Sequence, residues 1–213
     1  MLLNWFSITR LGEAGLLLPL AFALILGLAL MRAHPLWARF ALRLLLAITI
    51  TLASKIAFFA MGFGIPAINF IGFSGHTLLA TAILPVLFAW VFISKEGCFS
   101  KAGLALGLII AAIIGWSRLK VNAHSSSEVI SGWLLGYMVV HPFWKARIQS
   151  FAPLKRLIPI AFTALVFIMW SQPQTALHIP SYTWEQDIAR WLIGHNKIYT
   201  RQDLHQKEEN KQP

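Results

Sequence analysis

The sequence predicts an all-α integral membrane bundle of six transmembrane helices with a short amphipathic C-terminal helix. Three observations lead there. Of 213 residues, 57% are hydrophobic and only 12% are charged, about half the charged share of a soluble domain. The apolar residues gather in six stretches bounded by charge or turn residues. A backbone in lipid must satisfy its own polar groups, and helices are the open-ended way to do so. The same composition excludes disorder. A disulfide scaffold is excluded by Cys98, the only cysteine.

The first stretch runs from Ala14 to Met31 without a charge. The second, from about Phe40 to Ile65, carries Arg43 near one end and Lys55 well inside. The third is Thr77 to Ser94, the fourth Ala102 to Ser117 and the fifth Val129 to Trp144. The sixth starts at Leu157 and ends near Gln172-Pro173. Helices of roughly 16–18 residues reach roughly 24–27 Å, enough for the hydrocarbon core. No cleavable leader is expected, because the first apolar run lacks a small-residue cleavage site and follows Glu13. Residues 1–174 therefore read as the membrane domain and 175–213 as an extramembrane tail. In the tail, Thr183 and Gln186 match a capping box. Trp184, Ile188, Trp191 and Leu192 follow at helical spacing, and Gly194 ends the run. That helix suits the membrane surface or packing onto the outer loops equally well. From Arg201 the polar tail reads as disordered.

The net charge of +10 suggests nucleic acid at first sight. From Thr175 onward, however, five basic and five acidic residues cancel, so the whole excess flanks the apolar stretches. Such cations report topology, and no nucleic-acid partner is expected. The loops after the first, third and fifth stretches hold nine of them, against Arg10, Lys55, Arg118 and Lys120 on the other side. By the positive-inside rule the chain is then a multi-pass plasma-membrane (bacterial inner-membrane) protein with both termini outside.

Ionisable groups beside membrane spans are functional candidates by default. They collect in two loops on the same predicted face. One carries Lys55 and, after a glycine- and proline-interrupted stretch, Ser74-Gly75-His76 at the start of a span. The other carries Ser117-Arg118, five residues, His124, three residues and Glu128. Cations, a helix N-terminus, two histidines and one carboxylate make an anion site with two proton carriers. Phosphate suits it best, and no metal-ligand cluster is present.

This pattern resembles the type 2 phosphatidic acid phosphatase superfamily, whose membrane members are lipid phosphate and pyrophosphate phosphatases. The resemblance runs from about Lys55 to Gly136. It implies that His124 attacks phosphorus to give a phosphohistidine, that Glu128 orients it, and that His76 protonates the leaving oxygen. It further implies that Lys55, Ser74, Gly75 and Arg118 hold the phosphoryl oxygens, with no metal or cofactor. The expected partner is a lipid phosphate or pyrophosphate in the membrane. A phosphotransferase using the same residues and a catalytically silent transporter or binding protein are the alternatives.

The sequence departs from the family pattern in three places. Gly62-Phe63 replace an Arg-Pro pair, Phe73 replaces a proline, and Glu128 replaces an aspartate. Lys120 is the candidate to make up the missing charge. Each residue also has a plainer role available. Lys55 can snorkel to the interface, His76 can be a bystander, and Ser125 with Glu128 matches a capping box that starts the fifth span. The other histidines, 34, 141, 178, 195 and 205, read as structural or solvated. Trp116, Trp133 and Trp144 read as interfacial anchors.

Overall fold

A computed structural model of the chain describes residues 4–31, 33, 35–93, 98–147, 181–194 and 197–209. The expected sixth span, from Leu157 to Gln172, lies outside the described residues, as do His34, His178 and His195. Everything regular among the described residues is helical. The order is α1 (Trp5–Arg10), α2 (Ala14–Leu30), α3 (Leu36–Met61), α4 (Gly75–Val91), α5 (Lys101–Lys120), α6 (Ser126–Val140), α7 (Ser181–Ile193) and α8 (Arg201–Glu209). Short 3-10 turns occupy Pro66–Ile68 and His141–Lys145.

Among the described residues three helical stretches are long and apolar enough to cross a membrane: Trp5–Leu30, Leu36–Met61 and Lys101–Lys120. The apolar α4 is shorter, at 17 residues, and lies at the centre, with Leu78, Ile83, Leu87 and Trp90 almost fully buried. Around it α2, α3, α5 and α6 turn exposed apolar stripes outward, such as Phe22, Leu45, Ile109 and Met138. Those are the surfaces that lipid would cover.

Small residues set how closely the inner helices approach. On α5, Gly103, Gly107, Ala111 and Gly115 recur every fourth residue and are all buried. A methyl group on Gly132 of α6 would lie 2.7 Å from the Ser74 carbonyl oxygen, and one on Gly136 would lie 2.7 Å from that of Leu78. Backbone therefore meets backbone, which is how helices associate where no hydrophobic drive separates lipid from protein.

The start of α3 falls four residues before the expected Phe40, and the helix ends at Met61. Gly62 closes it in the left-handed region, at φ 70° and ψ 26°, its N–H bonded to the Phe58 carbonyl at 2.7 Å. An Arg at position 62 would be strained in that conformation. The tail also differs from expectation. Helix α7 begins at Ser181, so Thr183 lies inside its first turn and does not cap it. Gly194 does end the helix, at φ 68°. Trp184, Ile188, Trp191 and Leu192 face outward, while Glu185 and Ala189 are buried against the bundle. From Arg201 the chain is helical through Glu209. Thr200 starts this turn by accepting the Asp203 N–H and giving its own N–H and hydroxyl to the Asp203 carboxylate at 2.7 Å. Leu204 is buried with Phe58, Phe59 and Ala60. A local cap and one apolar anchor order a segment whose composition alone reads as disordered.

Candidate active site

The C-terminal end of α3, the start of α4, the end of α5 and the start of α6 meet at one end of the bundle. Ser74 fixes this meeting: its N–H donates to the Glu128 carbonyl at 3.1 Å. The two histidine-bearing loops are thus brought together as the sequence suggests.

Ser125 starts α6 with a reciprocal capping box. Its hydroxyl accepts the Glu128 N–H at 3.4 Å, and Glu128 Oε2 accepts the Ser125 N–H at 3.2 Å. The same Oε2 lies 2.7 Å from His124 Nδ1. Capping and histidine contact therefore coexist in one carboxylate. Glu128 is fully buried, and its Oε1 accepts the Ile71 N–H at 3.1 Å and Arg201 Nη2 at 2.8 Å. With Nδ1 turned to the carboxylate, the imidazole has Nε2 left to react. Burial above all, with the charges of Arg118 and Lys55, holds the His124 imidazole below its ordinary value against the pull of Glu128. That direction favours the neutral imidazole, the form in which a histidine can act as a nucleophile.

Helix α4 begins at Gly75 with no side chain capping its first turn. The Ser74 hydroxyl instead accepts from Thr77 Oγ1 at 3.0 Å. Nothing lies within 4 Å of where a Gly75 side chain would start, so the space beside the helix N-terminus is open. A cavity of about 240 Å3 lies here, lined at its polar end by Glu13, Lys55, Gly75, His76 and Glu185. Its remaining wall is apolar, with Leu18, Ile48, Leu52, Leu79 and Trp184 among the contributors. Ser74, Arg118, His124 and Glu128 do not line it.

Arg118 donates from Nη1 to Thr9 Oγ1 at 2.9 Å, and Glu13 supplies the opposing charge. Its buried Nε has no hydrogen-bond partner among the described residues. Lys120 is exposed, with its ammonium 5.4 Å from the Trp116 ring centre. Lys55 gives its ammonium to both oxygens of Glu185 at 3.1 Å, in a pair that is 15% and 3% exposed. Burial pushes the Glu185 carboxyl up, and Lys55 pulls it partly back. Among the described residues no three of His, Cys, Asp and Glu converge to hold a metal ion.

Four participants are absent from the sequence reading: Thr9, Glu13, Glu185 and Arg201. Glu13 carried a signal, as one of only three acidic residues before Thr175. Glu185 and Arg201 sit in the tail, 130 residues from Lys55 and 73 from Glu128 respectively. His205, read as structural or solvated, contacts Asn69 Oδ1 at 3.2 Å.

The pattern of the PAP2 superfamily matches residues 66–152, the segment that carries both histidine motifs. A Klebsiella pneumoniae protein, known as an uncharacterized 22.5 kDa protein in the cps region, is 34% identical over 96% of this chain and 99% of its own length. An undecaprenyl-diphosphatase of Sulfolobus acidocaldarius is 32% identical over 39% of this chain and 36% of its own. The lipid phosphate phosphatase delta of Arabidopsis thaliana is 25% identical over 63% of this chain and 32% of its own. No solved structure matches. The chain belongs to the PAP2 superfamily.

Proposed function

We propose that this protein is a membrane phosphatase that hydrolyses a lipid phosphomonoester or pyrophosphate through a phosphohistidine on His124. The observation that carries the reading is the 2.7 Å contact between His124 Nδ1 and the buried Glu128, beside an open helix N-terminus with Lys55 and His76. The two relatives with named activities act, by their names, on undecaprenyl diphosphate and on lipid phosphate. An apolar wall beside Lys55, His76 and the start of α4 suits a phosphate carried on an acyl or prenyl tail.

Chemistry follows from the groups in place. Substrate phosphate displaces the Glu185 carboxylate from Lys55 and takes up the unpartnered Arg118 Nε and the first N–H groups of α4. Nε2 of His124 attacks phosphorus as the bond to the leaving oxygen breaks, and His76 gives that oxygen a proton. Neutral His76 then takes a proton from water as the water oxygen attacks the phosphohistidine. Inorganic phosphate leaves, and Nε2 recovers its lone pair. Fixed donors stabilise the charge on the equatorial oxygens, and Glu128 stabilises the cationic imidazole ring in between. No step calls on a metal.

Six spans, with the site and both termini outside, complete the proposal; its support is the nine-to-four distribution of cations. The test is phosphate release from undecaprenyl pyrophosphate, phosphatidate, phosphatidylglycerophosphate and lipid A, with a soluble phosphomonoester as control. Release from at least one lipid, blocked by vanadate, is expected, with an acid-labile phosphoenzyme trapped on His124. Activity without a trapped phosphoenzyme would overturn the covalent route, and no release from any lipid would overturn the function.

A further inference from the structure

Glu128 is a fully buried carboxylate beside a neutral imidazole. A buried charge in that position requires a cation or it protonates. The cation is Arg201. Its Nη2 donates to Glu128 Oε1 at 2.8 Å, while Nη1 donates to the Asn69 carbonyl at 3.0 Å and to Asn69 Oδ1 at 2.8 Å. The guanidinium is therefore clamped on two edges, and only a third of the side chain is exposed. Both anchors are themselves fixed. Asn69 takes the left-handed conformation, at φ 51°, after the Pro66–Ile68 turn, a conformation that asparagine tolerates better than most residues. Arg201 opens α8, which Leu204 holds in the Phe58 cluster; just before it, the Tyr199 N–H donates to the Phe59 carbonyl at 2.9 Å.

Resting on the phosphohistidine reading, we infer that Arg201 is a positioning residue for His124, acting through Glu128 and delivered by the C-terminal segment. The carboxylate has one oxygen for each task. Oε2 meets His124 and the Ser125 N–H, and Oε1 meets Arg201 and the Ile71 N–H. The cation absent at position 62 thus returns at position 201, on the carboxylate and not on the phosphate. Its effect is twofold. It fixes the rotamer of Glu128 and hence the direction of Nε2. It also keeps Glu128 ionised without that charge drawing a resting proton onto His124. The other titratable and charged groups in this region are Lys55 from α3, Arg118 from α5, Glu13 and His76 beside the cavity, Glu185 from α7, and His205 of α8, whose Nε2 lies 3.2 Å from the Asn69 Oδ1 that Arg201 also reaches. Of these, Lys55 bonds Glu185 and Arg118 bonds Thr9, whereas Oε1 takes Arg201 and the Ile71 N–H.

The test uses the full chain in detergent or vesicles, with Arg201→Met, Arg201→Lys and Glu128→Gln, singly and with the first combined with the last. Arg201→Met is expected to lower kcat about 10–100-fold, the usual scale for an outer partner of a catalytic group. KM should stay within about twofold, because Arg201 does not touch the phosphate, and the acid limb of kcat should move to higher pH. In the Glu128→Gln background the same change should cost nothing further. Arg201→Lys keeps the charge, so it should hold the acid limb in place while losing part of kcat. That variant decides the matter if Arg201→Met does not fold. A loss confined to KM, an unmoved acid limb in Arg201→Met, or losses that multiply in the double variant would overturn the inference. The His124 ring resonance of histidine-labelled protein gives a readout that needs no turnover. Its titration should move up in Arg201→Met and not respond to that change once Glu128 is Gln. An upward shift in a protein that releases no lipid phosphate would sink the function and keep the positioning. Activity without the shift would do the reverse.

Discussion

Around His124, helices α4, α5 and α6 meet through backbone, whereas α7 and α8 are tied to the same region by ion pairs. On the first side, glycines bring Ser74 of the α4 start against α6, and a single methyl group at 132 finds no room. On the second side, Lys55 meets Glu185 and Glu128 meets Arg201, both across partly exposed edges. Close packing has no intermediate positions, since interiors are filled and respond to single methylenes. Ion pairs as buried as these are costly to break outright, but they can exchange partners when a competing ion arrives. His124, the proposed nucleophile, therefore sits on the closely packed part. Lys55, proposed to bind phosphate, is held by the ionic one.

Substitutions on the two sides should differ accordingly. His124→Ala should be the most severe, removing turnover by many powers of ten while the protein stays folded. Residual phosphate release within tenfold of wild type, at an unchanged melting temperature, would break the assignment. In the wild type the acid limb of kcat/KM should lie below about pH 6.5, the ordinary imidazole value. Folding should show the same sign. The folded chain binds the His124 proton more weakly than the unfolded chain, so stability present above about pH 6.5 is lost as pH falls below it.

Glu128→Gln comes next, with a loss of about 10²–10⁴ in kcat, since shape is kept and charge is lost. A neutral result would leave the carboxylate only its role in starting α6. Gly132→Ala should destabilise by about 1–3 kcal/mol, because the new methyl group overpacks against the Ser74 carbonyl. Thermal melting in detergent measures it, and an unchanged midpoint would show that α6 can move after all. The smallest effect belongs to the ionic side. Glu185→Gln should lower KM by up to about tenfold, since a phosphate no longer competes with a carboxylate for Lys55. A raised KM would make Glu185 a support of Lys55 and not its competitor.

The proposed catalytic set was legible as a pattern because its spacing is local: Ser74-Gly75-His76 are consecutive, and His124 and Glu128 lie four residues apart. The inner helices were legible as apolar runs. Their four-residue glycine spacing on α5 was in plain view but carried no meaning until the partner helix was known. What escaped was long-range and ionic. Nothing near Lys55 announces a partner 130 residues away, and a polar tail looks disordered when its one anchor, Leu204, is an isolated apolar residue. Helix α7 shows another side of the same point: its apolar face points outward, as a helix on a membrane surface would have it, and the bundle takes Glu185 and Ala189, which the periodicity did not single out. Periodicity says that a stripe exists and is silent about which neighbour receives it.

One feature of α6 ties folding to chemistry in a single side chain. The carboxylate that accepts the Ser125 N–H, and so permits the first turn to form, is the one that holds His124. A nascent chain whose α6 has not begun leaves its imidazole unaimed, so a half-made enzyme is an inert one.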